Sequence, residues 1–272
     1  MIQPILSPLT LREVFHLEFL RRLGASIAPT SYALKGGVNM RLFFGSPRFS
    51  EDMDLDISSP SVAQLKNLVM TSLGSRAFLD HLASYGIKTV RPPDLLKAKQ
   101  TETTQRFKIH ILTAAGEDLF TKVEFSRRGT SFRPGTVGVD LVPDALLRPY
   151  RMTPLWAPHY DTASMTLQKI NALASRTAVQ ARDIFDLHIL ISAPGAHAPA
   201  TGPEIPALDA PDSAVILKAK DRVYDVGFEM FRDTVLSYLS PEDRVAYDRP
   251  EAWDDIRLRV AGFIETLGGR HA

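Results

Sequence analysis

Apolar residues recur with two different periods along the first part of the chain. Leu11, Val14, Phe15, Phe19 and Leu23 fall at helical spacing, with Leu20 widening the stripe, which predicts an amphipathic helix over 10–23. Glu18 interrupts that stripe, and Gly24 supplies a stop. Residues 32–34 read as a short strand, Gly36-Gly37 as a turn and 38–44 as a helix. The period then changes to two: Met53, Leu55 and Ile57 alternate with Asp52, Asp54 and Asp56. On a strand this puts three carboxylates on one face and three apolar side chains on the other. Like charges in such a row repel, so the row calls for a counter-charge.

Ser58, Ser59 and Pro60 end that strand and lead into a helix over 61–73, followed by another over 76–85 that stops at Gly86. Three strands follow, at 87–91, 106–112 and 120–126. The last two form an antiparallel hairpin about Gly116, and 136–142 reads as an edge strand. Past residue 150 the period is helical, with helices expected over 160–176, 178–192, 212–224, 228–239 and 251–267. Residues 193–211 are rich in Pro, Gly and Ala and read as an exposed loop or linker. The organisation is α+β: a mixed half over 1–150, then an all-helical half over 151–272.

Composition narrows the chemistry. With 272 residues, 44% hydrophobic and 23% charged, the chain can bury an ordinary core. The formal net charge of +1 gives no general pull toward nucleic acid, so local charge must carry any such role. The absence of cysteine excludes disulfides, thiolate zinc sites and thiol nucleophiles. The opening "MIQPILSPLT" lacks the basic and long apolar regions of a signal peptide, and no apolar run has the ~20 residues of a membrane span. A cytoplasmic protein without membrane contact is expected.

Two aspartates two apart on one strand face can jointly hold a hard cation such as Mg²⁺ (or Mn²⁺) through oxygen ligands. Glu124, between Val123 and Phe125, offers a third carboxylate from a neighbouring strand. Gly36-Gly37, between a strand and a helix, can present backbone N–H groups to phosphate. Histidines 110, 159 and 188 have no metal-ligand spacing and are expected to be structural.

Taken together, "LKGGVNMRLFFGSPRFSEDMDLDI" resembles the nucleotidyltransferase signature of the AbiEii/AbiGii toxin family, at Lys35, Gly36, Gly37, Arg41, Arg48, Ser50, Asp52 and Asp54. "TLQKINALASRTAVQARDIFDLHIL" resembles that family's second hallmark, at Lys169, Arg176, Arg182, Asp183, Asp186 and Leu187. The two anchor a resemblance over roughly residues 10–192. It implies a minimal polymerase-β-like nucleotidyltransferase core with a mixed sheet, followed by a helical domain. The implied activity is Mg²⁺-dependent transfer of a nucleotidyl unit from an NTP to an acceptor, with some members modifying tRNA and acting as toxins of toxin–antitoxin or phage-defence systems.

On this footing Asp52, Asp54 and Glu124 are the expected metal ligands, with Glu124 also a base for the acceptor hydroxyl. Lys35, Gly36, Gly37, Arg48, Ser50, Arg176 and Asp186 are expected to bind the nucleotide. Lys169 is expected to stabilise charge on the phosphates. Asp56 is expected to be a surface carboxylate continuing the strand's polar face. For Ser50 the alternative is a turn-capping hydroxyl, for Lys169 and Arg176 a salt bridge to Asp183 or Asp186, and for Glu124 a partner of Lys122 or Lys108. Expected partners are an NTP, an RNA acceptor such as tRNA and a cognate antitoxin. The same motifs would suit a transferase for a small antibiotic-like molecule, or a nucleotide-binding module without turnover.

Overall fold

A computed structural model of the chain describes residues 6–95, 98–128, 136–192 and 211–269. The amphipathic stripe forms α1 (Pro8–Gly24), capped by the Ser7 hydroxyl, which accepts from the Thr10 N–H. The strand, glycine pair and helix follow as β1 (Tyr32–Lys35) and α2 (Gly36–Phe43), and the acidic strand is β2 (Met53–Ile57). Ser61 and Gln64 form a capping box at the start of α3 (Val62–Leu73), and α4 (Arg76–Ala83) comes next. Then come β3 (Ile87–Arg91), β4 (Thr104–Thr113), β5 (Asp118–Ser126) and β6 (Val137–Leu141).

The pattern reading has no strand after residue 142, yet α5 (Asp144–Leu147) is followed by β7 (Trp156–Tyr160). Pro154 and Pro158 conceal it, since proline argues against a strand inside a sheet. Pro158 is accommodated because its position in the ladder with β6 lies between bonded pairs, and β7 is registered to β1 only through Leu34 and His159.

The seven strands run in the order β3-β4-β5-β2-β1-β7-β6. β2 sits in the middle, antiparallel to β1 and parallel to β5. The face carrying Met53, Leu55, Ile57, Val123, Phe125, Phe107 and Ile109 is fully buried and packs with Phe15, Leu17, Phe19 and Leu20 of α1 in one apolar core. The other face carries the carboxylates.

The described chain divides into two units. The first runs up to Phe43 and from Phe49 to Tyr160, and holds the whole sheet. The second takes the short segment Phe44–Arg48 together with everything from Asp161 on. Its helices are α6 (Thr162–Ser175), α7 (Ala181–Ser192), α8 (Ser213–Val223), α9 (Phe228–Thr234), α10 (Pro241–Tyr247) and α11 (Pro250–Gly269). The expected helix over 228–239 breaks at Val235 and ends in a 3-10 turn over Leu236–Tyr238, and α10 was not expected. Trp253, fully buried and stacked on Phe231, anchors this unit's own core. The expected loop over 193–211 falls, but for Pro211, outside the described residues.

Candidate active site

Register across the sheet's polar face lines charges up in one row. Asp54 lies opposite Glu124 of β5 on one side and Lys35 of β1 on the other, and Glu124 lies opposite Arg106 of β4. Arg106 Nε donates to Glu124 Oε2 at 2.5 Å. Lys122 reaches between the acidic strands: its Nζ is 3.0 Å from Asp52 Oδ2 and 3.9 Å from Glu124 Oε2, while its backbone N–H donates to Asp52 Oδ1 at 3.1 Å. Burial raises the Asp54 carboxyl above its ordinary range; Lys122 and Lys35 pull it down, and Glu124 and Asp52 push it up. A carboxylate disfavoured in its charged form by burial is what a group poised for a positive ligand looks like.

Gly36 stands directly against that carboxylate. It opens α2 with φ at +68°, and a Cβ there would lie 2.9 Å from Asp54 Oδ2. Only glycine combines that backbone conformation with that approach. Gly36→Ala is expected to cost about 1–2 kcal/mol in backbone strain alone and to push Asp54 aside. A lowered melting temperature in a thermal scan is the expected result.

Asp56 corrects an expectation. It is buried rather than exposed, accepting from Lys35 Nζ at 2.5 Å and from the Tyr160 hydroxyl at 2.8 Å. The cause is β7: the strand missed in the sequence brings Tyr160 onto the same face as the acidic row. Lys35 is therefore engaged in an ion pair at the end of β1. Burial, and then Asp56 itself, push the Tyr160 phenol far above its ordinary value.

The turn before the acidic strand is fixed from beneath. Ser50 Oγ donates to the Asp52 carbonyl at 2.8 Å, the turn-capping alternative noted for it. Thr121 Oγ1 donates to the Glu51 carbonyl at 2.7 Å and bonds His16 Nε2 at 2.8 Å. Since the Thr121 proton goes to Glu51, His16 is the donor. Sequence reasoning passed over His16; its signal was a histidine on the buried flank of the α1 stripe. Burial, aided by Arg12, lowers its pKa to about 3, so the ring is neutral. The unfolded chain takes up a proton near pH 6.5 that the folded ring refuses, so stability is complete above that pH and declines as the pH drops toward 3. The slope from this group is at most about 1.4 kcal/mol per pH unit. Urea midpoints measured against pH are expected to show it, and His16→Gln to remove one proton's worth of slope.

The second hallmark forms a buried ion network inside the helical unit. Lys169 Nζ lies 2.9 Å from Asp183 Oδ1 and 2.6 Å from Asp186 Oδ2. Arg48 Nη2 reaches both Asp186 oxygens at 3.1 Å, and Arg176 Nε is 3.1 Å from Asp183 Oδ2. Arg48, Lys169, Asp183 and Asp186 are all buried. Burial opposes the charge on Lys169 but is outweighed by Asp183 and Asp186, so its pKa is raised. Burial likewise opposes the charge on Asp186 but is outweighed by Arg48 and Lys169, so its pKa is lowered. The charges on Lys169 and Arg48 are thus met by protein carboxylates, the bridge alternative noted for Lys169 and Arg176.

Histidines 110 and 159 bond Asp118 and Asp140, in line with structural roles. His188 is held neutral by burial and Arg259, which lower its pKa to about 4. Among the described residues no three His, Cys, Asp or Glu side chains are grouped to hold a metal ion. What the donor set offers is a pair of hard carboxylates, Asp52 and Asp54, with Glu124 registered beside them. Mutual repulsion at Asp54, and glycine in place of a side chain above it, fit a small hard cation and a ligand approaching along the backbone. Among the described residues, no helix is long and apolar enough to cross a membrane.

Comparison with known proteins adds to this geometry. The sequence profile of the nucleotidyl transferase AbiEii toxin family, from type IV toxin–antitoxin systems, matches residues 18–246. No curated protein sequence matches the chain significantly. Among solved structures, MenT4, a nucleotidyltransferase toxin from Mycobacterium tuberculosis H37Rv, superposes with a TM-score of 0.57 at 18% identity, over 96% of this chain and 84% of that one. JHP933 from Helicobacter pylori superposes with a TM-score of 0.55 at 18% identity, over 98% of this chain and 94% of that one. At these identities the two structures speak for the shared fold.

Proposed function

The chain belongs to the AbiEii nucleotidyltransferase toxin family, and from that premise we propose that it transfers a nucleoside monophosphate from an NTP to an acceptor hydroxyl of RNA, a tRNA in particular. The observation that carries this reading is the Asp52–Asp54 pair, with Gly36 pressed against Asp54 at the mouth of α2.

Asp52 and Asp54 are the residues that would hold Mg²⁺ or Mn²⁺, with Glu124 as a third carboxylate. Such a cation, when bound, neutralises triphosphate charge and polarises the phosphate under attack. Gly36 and Gly37 offer backbone N–H groups at the first turn of α2, where the helix dipole favours anions. Lys122 supplies positive charge within the acidic row, and Lys35 is held beside it by Asp56. Glu124 is assigned the proton of the acceptor hydroxyl. Ser50, Thr121 and His16 fix the turn that carries Asp52. Arg48, Lys169, Arg176, Asp183 and Asp186 are assigned a positioning role within the helical unit, where they hold Phe44–Arg48 in place. The reading extends to toxicity restrained by a cognate antitoxin.

The test is incubation of the purified chain with each labelled NTP, Mg²⁺ and total RNA, alongside a panel of small hydroxylated acceptors. Label is expected in RNA. Label on a small molecule alone would move the acceptor to the rival class, and nucleotide binding with no transfer to anything would sink the enzymatic reading.

A further inference from the structure

The two edges of the sheet are finished differently. β3 carries exposed Lys88 and Arg91, charges of the kind that discourage a further strand from pairing. β6 carries a single charge. Its one charged residue, Asp140, folds back to accept from His159 Nε2 at 3.0 Å. Gly138 makes room for this, since a Cβ there would lie 2.8 Å from Asp140 Oδ2. Among the described residues β6 pairs only with β7.

The backbone on that edge is ordered for pairing. The Val142 N–H donates to the Leu155 carbonyl at 2.9 Å, and antiparallel bonding alternates. Gly138 and Asp140 therefore bond toward β7, and Val137, Val139 and Leu141 turn their N–H and C=O groups outward. The side chains of these three share one sheet face, registered to Tyr160, Pro158 and Trp156. On that face Val139 is 45% exposed, Leu141 43% and Trp156 61%. An edge whose one charge is already engaged, with large apolar groups bared beside it, marks a pairing surface.

We infer that β6 pairs with β6 of a second copy of this chain, antiparallel, about a two-fold axis at Val139. The strand is self-complementary in that arrangement. Val139 would exchange bonds with Val139, and Val137 with Leu141, so every outward backbone group on these three residues finds a partner. Gly138 would face Asp140, so no like charges meet. The apolar side chains of both β6 strands meet on one face, with Trp156 flanking them one strand back in each copy, as an isologous contact allows.

Sedimentation equilibrium of the full chain over a wide concentration range tests this. The mass is expected to rise from 30.1 kDa toward twice that value. Tryptophan emission is expected to move to shorter wavelength in step, through Trp156 alone, because Trp253 is already buried. Val139→Lys sets two ammonium groups face to face on the axis, and Leu141→Lys burdens the rim; each is expected to hold the single-copy mass throughout with an unchanged circular-dichroism spectrum. A natural chain with single-copy mass at every concentration overturns the inference, whatever the variants do. So does association that persists undiminished in both variants, or a Trp156 shift that appears only on adding RNA or a different protein.

Discussion

Asp54→Asn, and more completely the Asp52→Ala, Asp54→Ala pair, is expected to lower nucleotidyl transfer by about 10³-fold or more. That corresponds to the several kcal/mol of transition-state charge stabilisation that a properly held cation supplies, at 1.36 kcal/mol per factor of ten. The measurement is single-turnover incorporation from labelled NTP. Asp54→Asn should at the same time raise the melting temperature. Burial and its acidic neighbours lift the Asp54 carboxyl above its ordinary value, so its charged form is disfavoured in the folded state, a cost that an amide does not carry. Activity lost while stability is gained is the mark of a strained functional group. Unchanged transfer by the double variant would remove these two residues from the chemistry.

Asp186→Ala is expected to have the largest effect on stability, about 3–5 kcal/mol, because it strips a buried partner from two cations at once. Arg48 loses both of its bonds to Asp186 and Lys169 keeps only Asp183. Urea unfolding followed through Trp253, which is fully buried in the same unit, reports the loss. A change within a few tenths of a kcal/mol would mean that the network is not holding the unit together. The pH dependence has a definite sign. The lowered Asp186 pKa gives stability that is present above the ordinary carboxyl value and lost as acid passes its folded value. The raised Lys169 pKa gives stability that is present below the ordinary lysine value and lost as alkali passes its folded value. The network therefore holds across the whole middle range and fails at both ends.

Much of this was legible in the chain where periodicity and charge coincide. The alternation of Met53, Leu55 and Ile57 with aspartates located the central strand and its two faces, because a half-buried strand cannot be written otherwise. The glycine pair and the β4–β5 hairpin were legible for the same kind of local reason. What escaped was non-local. Trp156–Tyr160 pairs because β1 and β6 lie ready on either side of it, a condition that no window of sequence contains, while Pro158 argues locally against it. That omission carried the error at Asp56, whose burial needs the Tyr160 hydroxyl. His16 was invisible as a positioning group since its partner, Thr121, lies far along the chain. Glu18, which broke the α1 stripe, proves buried, with Arg21 Nε at 3.6 Å and His81 Nε2 at 3.3 Å from its carboxylate.

The segment Phe44–Arg48 has a consequence for the order of synthesis. The buried carboxylate partner of Arg48, Asp186, is 138 residues further on, so when the acidic strand leaves the ribosome that ion pair has yet to be made. The sheet's buried face, and the bonds of Ser50 and Thr121 that fix the turn before Asp52, can form once β5 is made, whereas Phe44–Arg48 gains its pairing with Asp186 only after α7 exists. A nascent chain halted before that point would carry its carboxylates on a finished strand and turn, with the Arg48–Asp186 pair not yet formed. On this account the helical unit, with Phe44–Arg48 built into it, is completed late, after most of the polypeptide has been translated.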